Sequence, residues 1–349
     1  MFKRILIANR GEIAVRIIRA CQELNIETVA IYSDADVNAL HVQLADQAVN
    51  VGAADASESY LNKESILRAA REAHADAIHP GYGFLSEDAD FAQQVTDAGI
   101  TWIGPMPETI RLVGDKDIAR ASIAPSGIPM AKGSNPLKNN EEAIAAAKEV
   151  GYPVILKPVA GGGGKGMCVA HDEDDLRNIL SLLVDITKTK YYFEHYIERS
   201  RHIEVQIVAD NYGEVLHLGE RECSLQRRNQ KLLEESPSIA LTHDMRKRVG
   251  QLAVKAAKSV HYSNIGTVEF LLDLSNNEFY FMEINPRIQV EHGITEAVTG
   301  IDLVRTQIRI AAGEALNLTQ QDISFTGHAI ECRINAEDPD NKFMPSPGQ

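Results

Sequence analysis

Two strand-like runs separated by Ser275-Asn276-Asn277 constrain this chain more than any other stretch. Gly266–Leu274 and Glu278–Asn285 are rich in aromatic and branched residues and are divided by turn formers, the pattern of a β-hairpin. Side chains alternate between faces along a strand, so Phe279, Phe281, Glu283 and Asn285 are expected on one face and Tyr280, Met282 and Ile284 on the other. A three-residue loop, Ser275 to Asn277, makes Glu269 and Glu283 cross-strand partners. Opposed carboxylates destabilise a sheet unless a cation lies between them. Oxygen ligands favour Mg²⁺ or Mn²⁺, above all where substrate phosphates complete the shell. The other reading is a solvated face carrying surface acids, against which the apolar flanks weigh.

The second run leads directly into Glu283-Ile284-Asn285-Pro286-Arg287-Ile288-Gln289-Val290-Glu291-His292. Carboxylates, amides and a guanidinium at the end of an apolar strand make a poor core and a good site. The chain can accommodate one, because its 349 residues, 44% hydrophobic, suffice for two or three domains. A formal net charge of −14 excludes nucleic acid as a partner, and any anion site must be locally basic. Cys21, Cys168, Cys223 and Cys332 lie far apart with no C-x-x-C pair, which reads as buried thiols in a reducing compartment. No apolar run reaches membrane-spanning length and the first residues are too soon charged for a signal peptide, so the expectation is a cytoplasmic protein with no membrane partner.

The N-terminal part alternates strands and helices. Ile5–Ala8 reads as a buried parallel strand, followed by a turn at Asn9–Glu12 and a helix with Ala14, Ile17, Ile18 and Cys21 on one face. Thr28–Tyr32 is the next strand, and a helix near Lys63–Ala73 leads to a strand at Ala77-Ile78. This start is Rossmann-like but lacks G-x-G-x-x-G, so dinucleotide binding has little support. The loop His79-Pro80-Gly81-Tyr82-Gly83-Phe84-Leu85 either lines the crevice of the sheet or is a plain turn.

The Pro, Gly and Asn residues between Gly127 and Asn140 predict a boundary, after which Val154–Pro158 enters a run of glycines. Gly161, Gly162, Gly163, Gly164, Lys165 and Gly166 can close backbone N–H groups over phosphates, with Lys157 on the entering strand adding charge. It is not a Walker A loop, because Lys165 precedes Gly166 rather than Ser or Thr. A flexible hairpin tip is the alternative. Further on, His202 shares a strand face with Glu204 and Gln206, and the stretch Glu220–Lys231 is locally basic at its end, either an anion site or a solvated charge run.

Taken together, Ala8–Ala14, His79–Glu87, Gly161–Met167, Gln226-Arg227-Arg228, Arg287–His292 and Glu331–Asp338 resemble biotin carboxylase, an ATP-grasp enzyme, along the whole chain. Within that family Leu233–Ser238 is most like the separate subunit of bacterial acetyl-CoA carboxylase, with pyruvate carboxylase or another acyl-CoA carboxylase as the alternative. The resemblance implies an α/β fold: a Rossmann-like domain over 1–113, an ATP-grasp domain over 114–324 with a lid at about 132–203, and the start of a C-terminal domain over 325–349. It implies that bicarbonate attacks the γ-phosphate of ATP to give carboxyphosphate, whose CO₂ passes to N1′ of biotin on a carrier protein. Lys116, Lys157 and Gly161–Gly166 would hold the phosphates, Glu194 and Ile197 the adenine, and His202 and Gln226 the ribose edge. Glu269, Glu283 and Asn285 would bind Mg²⁺ or Mn²⁺. Lys231, Arg287, Gln289 and the Val290 backbone would bind bicarbonate, Glu291 would be the general base and Arg333 would stabilise the biotin enolate.

Implied partners are the biotin carboxyl carrier protein, carboxyltransferase subunits and, at full length, a second copy in a homodimer. This sequence departs from the family at Asn229, where His is frequent, and at Gly293, where Pro is usual and a looser loop is therefore expected. Ala124-Pro125 interrupts an expected helix, the segment between Asp172 and Tyr191 is short, and the family continues past Gln349, so the expectation is a fragment with weakened ATP binding. Three other classes fit parts of the pattern: a different ATP-grasp ligase, an ATP-binding regulatory module without turnover, and a NAD-binding protein. Only biotin carboxylase uses the Arg287–His292 run together with Arg333.

Overall fold

The computed structural model describes residues 1–159, 166–182 and 190–346. Arg4–Ile7 (β1), Glu27–Ser33 (β2), Gln47–Gly52 (β3), Ala77–His79 (β4) and Thr101–Trp102 (β5) form a parallel sheet in the order β3-β2-β1-β4-β5. Its core is made as the pattern predicts: Ile5 and Ile7 on β1 pack against Ile13, Ala14, Ile17, Ile18 and Cys21 of the helix Gly11–Glu23. Each fully buried isoleucine contributes about 1.5–3 kcal/mol. The strand order reverses between β1 and β4, so a crevice opens at their carboxyl ends. There Asn9 Nδ2 donates to the carbonyls of Pro80 and Tyr82, both at 2.7 Å, fastening the loop 79–87 over the crevice.

Val154–Pro158 (β6), Cys168–Ala170 (β7) and Tyr191–His195 (β8) make a small antiparallel sheet in the order β7-β6-β8. The helices Asn140–Val150 and Glu173–Leu182 bury Ala143, Ala147, Leu176 and Leu180 against it. Gly166 lies between β6 and β7 with φ +77°, whereas Gly161, Gly162, Gly163, Gly164 and Lys165 lie outside the described residues. The expected break at Ala124-Pro125 is present: the helix Lys116–Ile123 ends in a short 3₁₀ turn over Ala124–Ser126.

The large sheet holds Ser200–Ala209 (β9), Val215–Arg227 (β10), Gln230–Ser236 (β11), Asn264–Asp273 (β12), Glu278–Asn285 (β13) and Ala329–Cys332 (β14), in the order β13-β12-β9-β10-β11-β14. Because β14 pairs with β11, this sheet runs across the domain boundary expected at 324/325. Helix His243–Ser259 covers one face, packing Val249, Ala253 and Ala257 on Ile203, Val205, Phe270, Leu272, Phe279 and Phe281.

Two irregularities set the register of the large sheet. The loop between β12 and β13 has four residues, Leu274 to Asn277, not three, and an even loop would misalign the two acids. A bulge restores them: Phe270 pairs with Phe281 but Glu269 with Glu283, leaving Met282 as the extra residue. The face assignment changes accordingly, with Phe279, Phe281 and Ile284 in the core and Glu283 opposite it beside Met282. On β10 a second shift, between His217 and Glu220, contains Gly219 at φ +81°. Without it Glu220 would oppose Glu204; with it Arg221 does.

Cys21 and Cys223 are buried thiols as expected, but Cys168 is half-buried and Cys332 exposed, because β14 is an edge strand. Among the described residues no helix is long and apolar enough to cross a membrane.

Candidate functional site

A cleft of about 1300 Å³ lies between the 79–87 loop, the small sheet and the uncovered face of the large sheet. Its floor is built around Arg221, which is wholly buried. The guanidinium donates to Glu204 Oε1 (2.5 Å), Gln206 Oε1 (2.7 Å), Thr295 Oγ1 (2.9 Å) and Thr267 Oγ1 (3.0 Å), tying β9, β10, β12 and the helix His292–Thr299 together. A buried charge is tolerated only with such satisfaction, and loss of one partner would cost far more than the pair contributes.

Above it Lys231 Nζ reaches three acids: Glu204 Oε2 at 2.5 Å, Glu291 Oε1 at 2.8 Å and Glu269 Oε1 at 3.0 Å. Burial alone would lower the lysine pKa, but these carboxylates hold it well above its usual range. The same logic acts in reverse on Glu269, where burial raises the pKa and Lys231 and His202 more than reverse it. His202 Nε2 stands 3.0 Å from Glu269 Oε2, and that charge keeps the imidazole pKa raised despite burial. Gln226 Nε2 lies 3.1 Å from His202 Nδ1, which brings the expected His202–Gln226 pair together.

Glu291 is 0% exposed and both of its oxygens are occupied, Oε1 by Lys231 and Oε2 by Arg333 Nη2 at 2.9 Å. Arg333 also donates from Nε to Glu234 Oε1 at 2.8 Å. Arg287 is oriented by Gln289 Oε1 at 2.8 Å and by Glu87 from the 79–87 loop, which is how the N-terminal sheet reaches the cleft. That resolves the loop's reading: Tyr82, Gly83 and Glu87 line the cavity. Val290, Gln289, Arg287, Lys231 and Arg333 line it too.

Glu269 and Glu283 face the cavity as cross-strand partners, but the chain's own cations meet them. Lys231 and His202 flank Glu269, Asn285 Nδ2 donates to Glu269 Oε1 at 2.9 Å, and Lys116 Nζ stands 3.2 Å from Glu283 Oε2. Two carboxylates and an amide carbonyl on one cleft face still form an all-oxygen donor set suited to a hard divalent cation. Among the described residues, other groups with metal-capable spacing are His202–Glu204–Glu269 and Glu204–Cys223–Glu291, already bridged by Lys231.

Towards the small sheet, Lys157 pairs with Glu194, which Arg120 Nη1 also contacts at 2.7 Å, while Ile197 lines the cavity. The expected anion stretch divides. Lys231 belongs to the floor, whereas Arg227 is engaged by Glu337 at 2.6 Å and by the ring of Phe343, 4.2 Å from its centroid. Sequence reasoning missed Arg221, Arg120, Glu87 and Glu234. The polar face shared by His202, Glu204 and Gln206 signalled that a cation was needed across β9, but not which one.

Family models match two parts of the chain: residues 1–110 the biotin carboxylase N-terminal domain, and residues 115–319 the ATP binding domain of the carbamoyl-phosphate synthase L chain. Biotin carboxylase 1 of Bacillus subtilis is 54% identical, the match covering 100% of this chain and 79% of that one. A pyruvate carboxylase subunit of Methanothermobacter thermautotrophicus is 50% identical, covering 100% and 72%. The crystal structure of the biotin carboxylase domain dimer of Hydrogenobacter thermophilus 2-oxoglutarate carboxylase, with MgADP, ADP and bicarbonate, superposes with a TM-score of 0.92 at 50% identity, covering 99% of this chain and 77% of that one.

Proposed function

The chain belongs to the biotin carboxylase family, and from that membership we propose that it carboxylates biotin on a carrier protein in the first half-reaction of an acetyl-CoA carboxylase. ATP and bicarbonate are the co-substrates. The observation that carries the reading is Glu291, buried between Lys231 and Arg333 at the floor of a cleft that Arg287 and Gln289 also line.

Lys231, Arg287, Gln289 and the Val290 backbone hold bicarbonate, a planar anion suited to a guanidinium fork. Glu291 takes its proton as the bicarbonate oxygen attacks the γ-phosphorus, ADP leaves and carboxyphosphate forms. Lys116, Lys157 and the 161–166 loop neutralise the phosphates, Glu194 and Ile197 border the adenine, and His202 and Gln226 meet the ribose edge. The lysines must exchange partners to do so, since Lys116 rests on Glu283 and Lys157 on Glu194. Glu269, Glu283 and Asn285 are the groups fit to hold Mg²⁺ or Mn²⁺, which when bound supplies charge neutralisation at the transferring phosphoryl group. Carboxyphosphate parts into CO₂ and phosphate, the phosphate takes the N1′ proton of biotin, and N1′ takes up the CO₂ while Arg333 stabilises the enolate.

The expected partners are a biotin carboxyl carrier protein, a carboxyltransferase and a second copy of the chain, in the cytoplasm. A pyruvate or 2-oxoglutarate carboxylase is the alternative setting, because relatives with those names match at 50% identity. Phosphate release from ATP, measured with and without bicarbonate and free biotin, tests the activity. Release that ignores bicarbonate would sink it. Carboxylation of acetyl-CoA, pyruvate or 2-oxoglutarate in reconstituted mixtures then decides the setting.

A further inference from the structure

The floor of the cleft carries more acid than base. Glu204, Glu234, Glu269, Glu291 and Glu331 converge on Arg221, Lys231, Arg333 and the imidazole of His202. Even with His202 charged, the group is one positive charge short. The excess falls at one place: Glu234 on β11 and Glu331 on β14 are directly paired across the strands, a register that costs stability for two anions.

Glu234 is 0% exposed, and among the described residues only one of its oxygens is used. Oε1 accepts from Arg333 Nε at 2.8 Å, while Oε2 is buried and has no hydrogen-bond partner among the described residues. A buried carboxylate oxygen left without a donor is costly. Glu331 is half-buried, and its Oε2 lies 3.6 Å from where a side chain on Gly293 would begin, so this carboxyl is turned towards the start of the helix that follows Glu291. The charged groups facing the pair are Arg333 just past β14, Glu291 at that helix start, Arg221 from β10 and Glu204 from β9.

We propose that Glu234 and Glu331 hold one proton between them and that this pair positions the Arg333 guanidinium against Glu291. The proton gives Glu234 Oε2 its missing donor and removes the excess charge. Arg333 then divides evenly, Nε to the pair and Nη2 to Glu291. When the pair loses its proton, the added negative charge draws Arg333 away from Glu291. Burial, then the charges of Glu234 and Glu291, push the Glu331 carboxyl from 4.5 up to about 7, and burial also raises Glu234, so the loss falls within the working pH range. The pair titrates as a unit.

The positioning role rests on the function assigned above to Arg333, but the shared proton does not. Melting temperatures of the wild type and of Glu331→Gln, measured from pH 4.5 to 9, test the proton. A carboxyl whose pKa is raised on folding stabilises the fold below its unfolded value and loses that contribution as pH rises through the folded value. Gln keeps the hydrogen bond without titrating, so the variant should gain on the wild type from pH 4.5 to about 7 and then run parallel. Glu234→Gln should show the same pattern, and it serves if Glu331→Gln fails to fold. A melting difference independent of pH in both variants would overturn the shared proton. The pH profile of kcat/KM for free biotin tests positioning: the wild type should fall through a limb near the pair's pKa, and Glu331→Gln should lack that limb. Coincident profiles would overturn positioning. A protein that carboxylates no biotin but keeps the melting pattern would fault the functional reading, not the proton.

Discussion

The two large sheets of this molecule solve opposite problems. In the N-terminal sheet the strands are parallel and the central ones largely apolar, and Ile5, Leu6, Ile7, Val29 and Ile78 are sealed from water with no charge among them to neutralise. In the antiparallel sheet one face is equally apolar, but the other buries Glu204, Arg221, Glu269 and Glu291 around Lys231. Hydrophobic burial needs only apolar area and fit, so the first sheet tolerates apolar residues of similar volume. A charged floor needs every partner in place. Stability should therefore be concentrated in the first sheet and activity in the second, and substitutions that separate the two readouts test that division.

The largest separation is expected at Glu291. Glu291→Gln removes the proposed base, which should lower bicarbonate-dependent ATP hydrolysis by about 10²–10⁴-fold. The fold should survive, because Lys231 keeps Glu204 and Glu269, and Arg333 keeps Glu234. Thermal melting decides between the roles: a collapse in Tm proportionate to the lost turnover would mark Glu291 as structural. The converse is expected at Ile17, fully buried under the first sheet. Ile17→Ala should cost about 2–5 kcal/mol of unfolding free energy. Turnover per folded molecule should stay the same, and urea titration with active-site-normalised rates would expose any leak between the two regions.

The same contrast decided how much could be read from the sequence. The β1 strand, the helix after it and the stripe Ala14, Ile17, Ile18 and Cys21 follow from periodicity alone, because apolar burial is written locally. The acidic floor depends on register, which is not local. Glu269 does oppose Glu283, yet the loop has four residues and the bulge at Met282 restores the pairing. Arg221 sits near the start of Glu220–Lys231, which reads either as an anion site or as a solvated charge run. Only the shift around Gly219 sets it opposite Glu204, and a side chain there would collide with the ring of Phe325. Bulges leave almost no trace in composition, so the residues were legible as a set while their partners were not.

A smaller effect is expected where the two acids meet. Glu283→Gln leaves the strand pairing and the Glu269 network intact but removes one anionic oxygen donor and the partner of Lys116. Mg²⁺ affinity, measured through the Mg²⁺ dependence of ATP hydrolysis, should weaken by about tenfold, the low end of what loss of a supporting ligand costs. Unchanged Mg²⁺ dependence would show that the facing acids serve the hairpin and its lysines rather than a metal, and the charged floor would then be neutralised without cations from solution.

The smallest expected effect is at Gly293, where the sequence suggests a loop loosened by the absence of proline. Gly293 instead occupies the first turn of the helix His292–Thr299, packed beside Glu331. Its φ is not left-handed, and an added Cβ would lie 3.6 Å from Glu331 Oε2, an ordinary contact. Glycine in a helix loses the most conformational freedom on folding, so Gly293→Ala should stabilise the protein, by about 0.5 kcal/mol because the position is near the helix end. Urea denaturation resolves a change of that size if the two midpoints are measured side by side. A loss of stability instead would mean that Glu331 cannot yield even slightly. The carboxyl pair would then be held as rigidly as Arg221, and the demand for complete partnering would extend from the floor of the cleft to its rim.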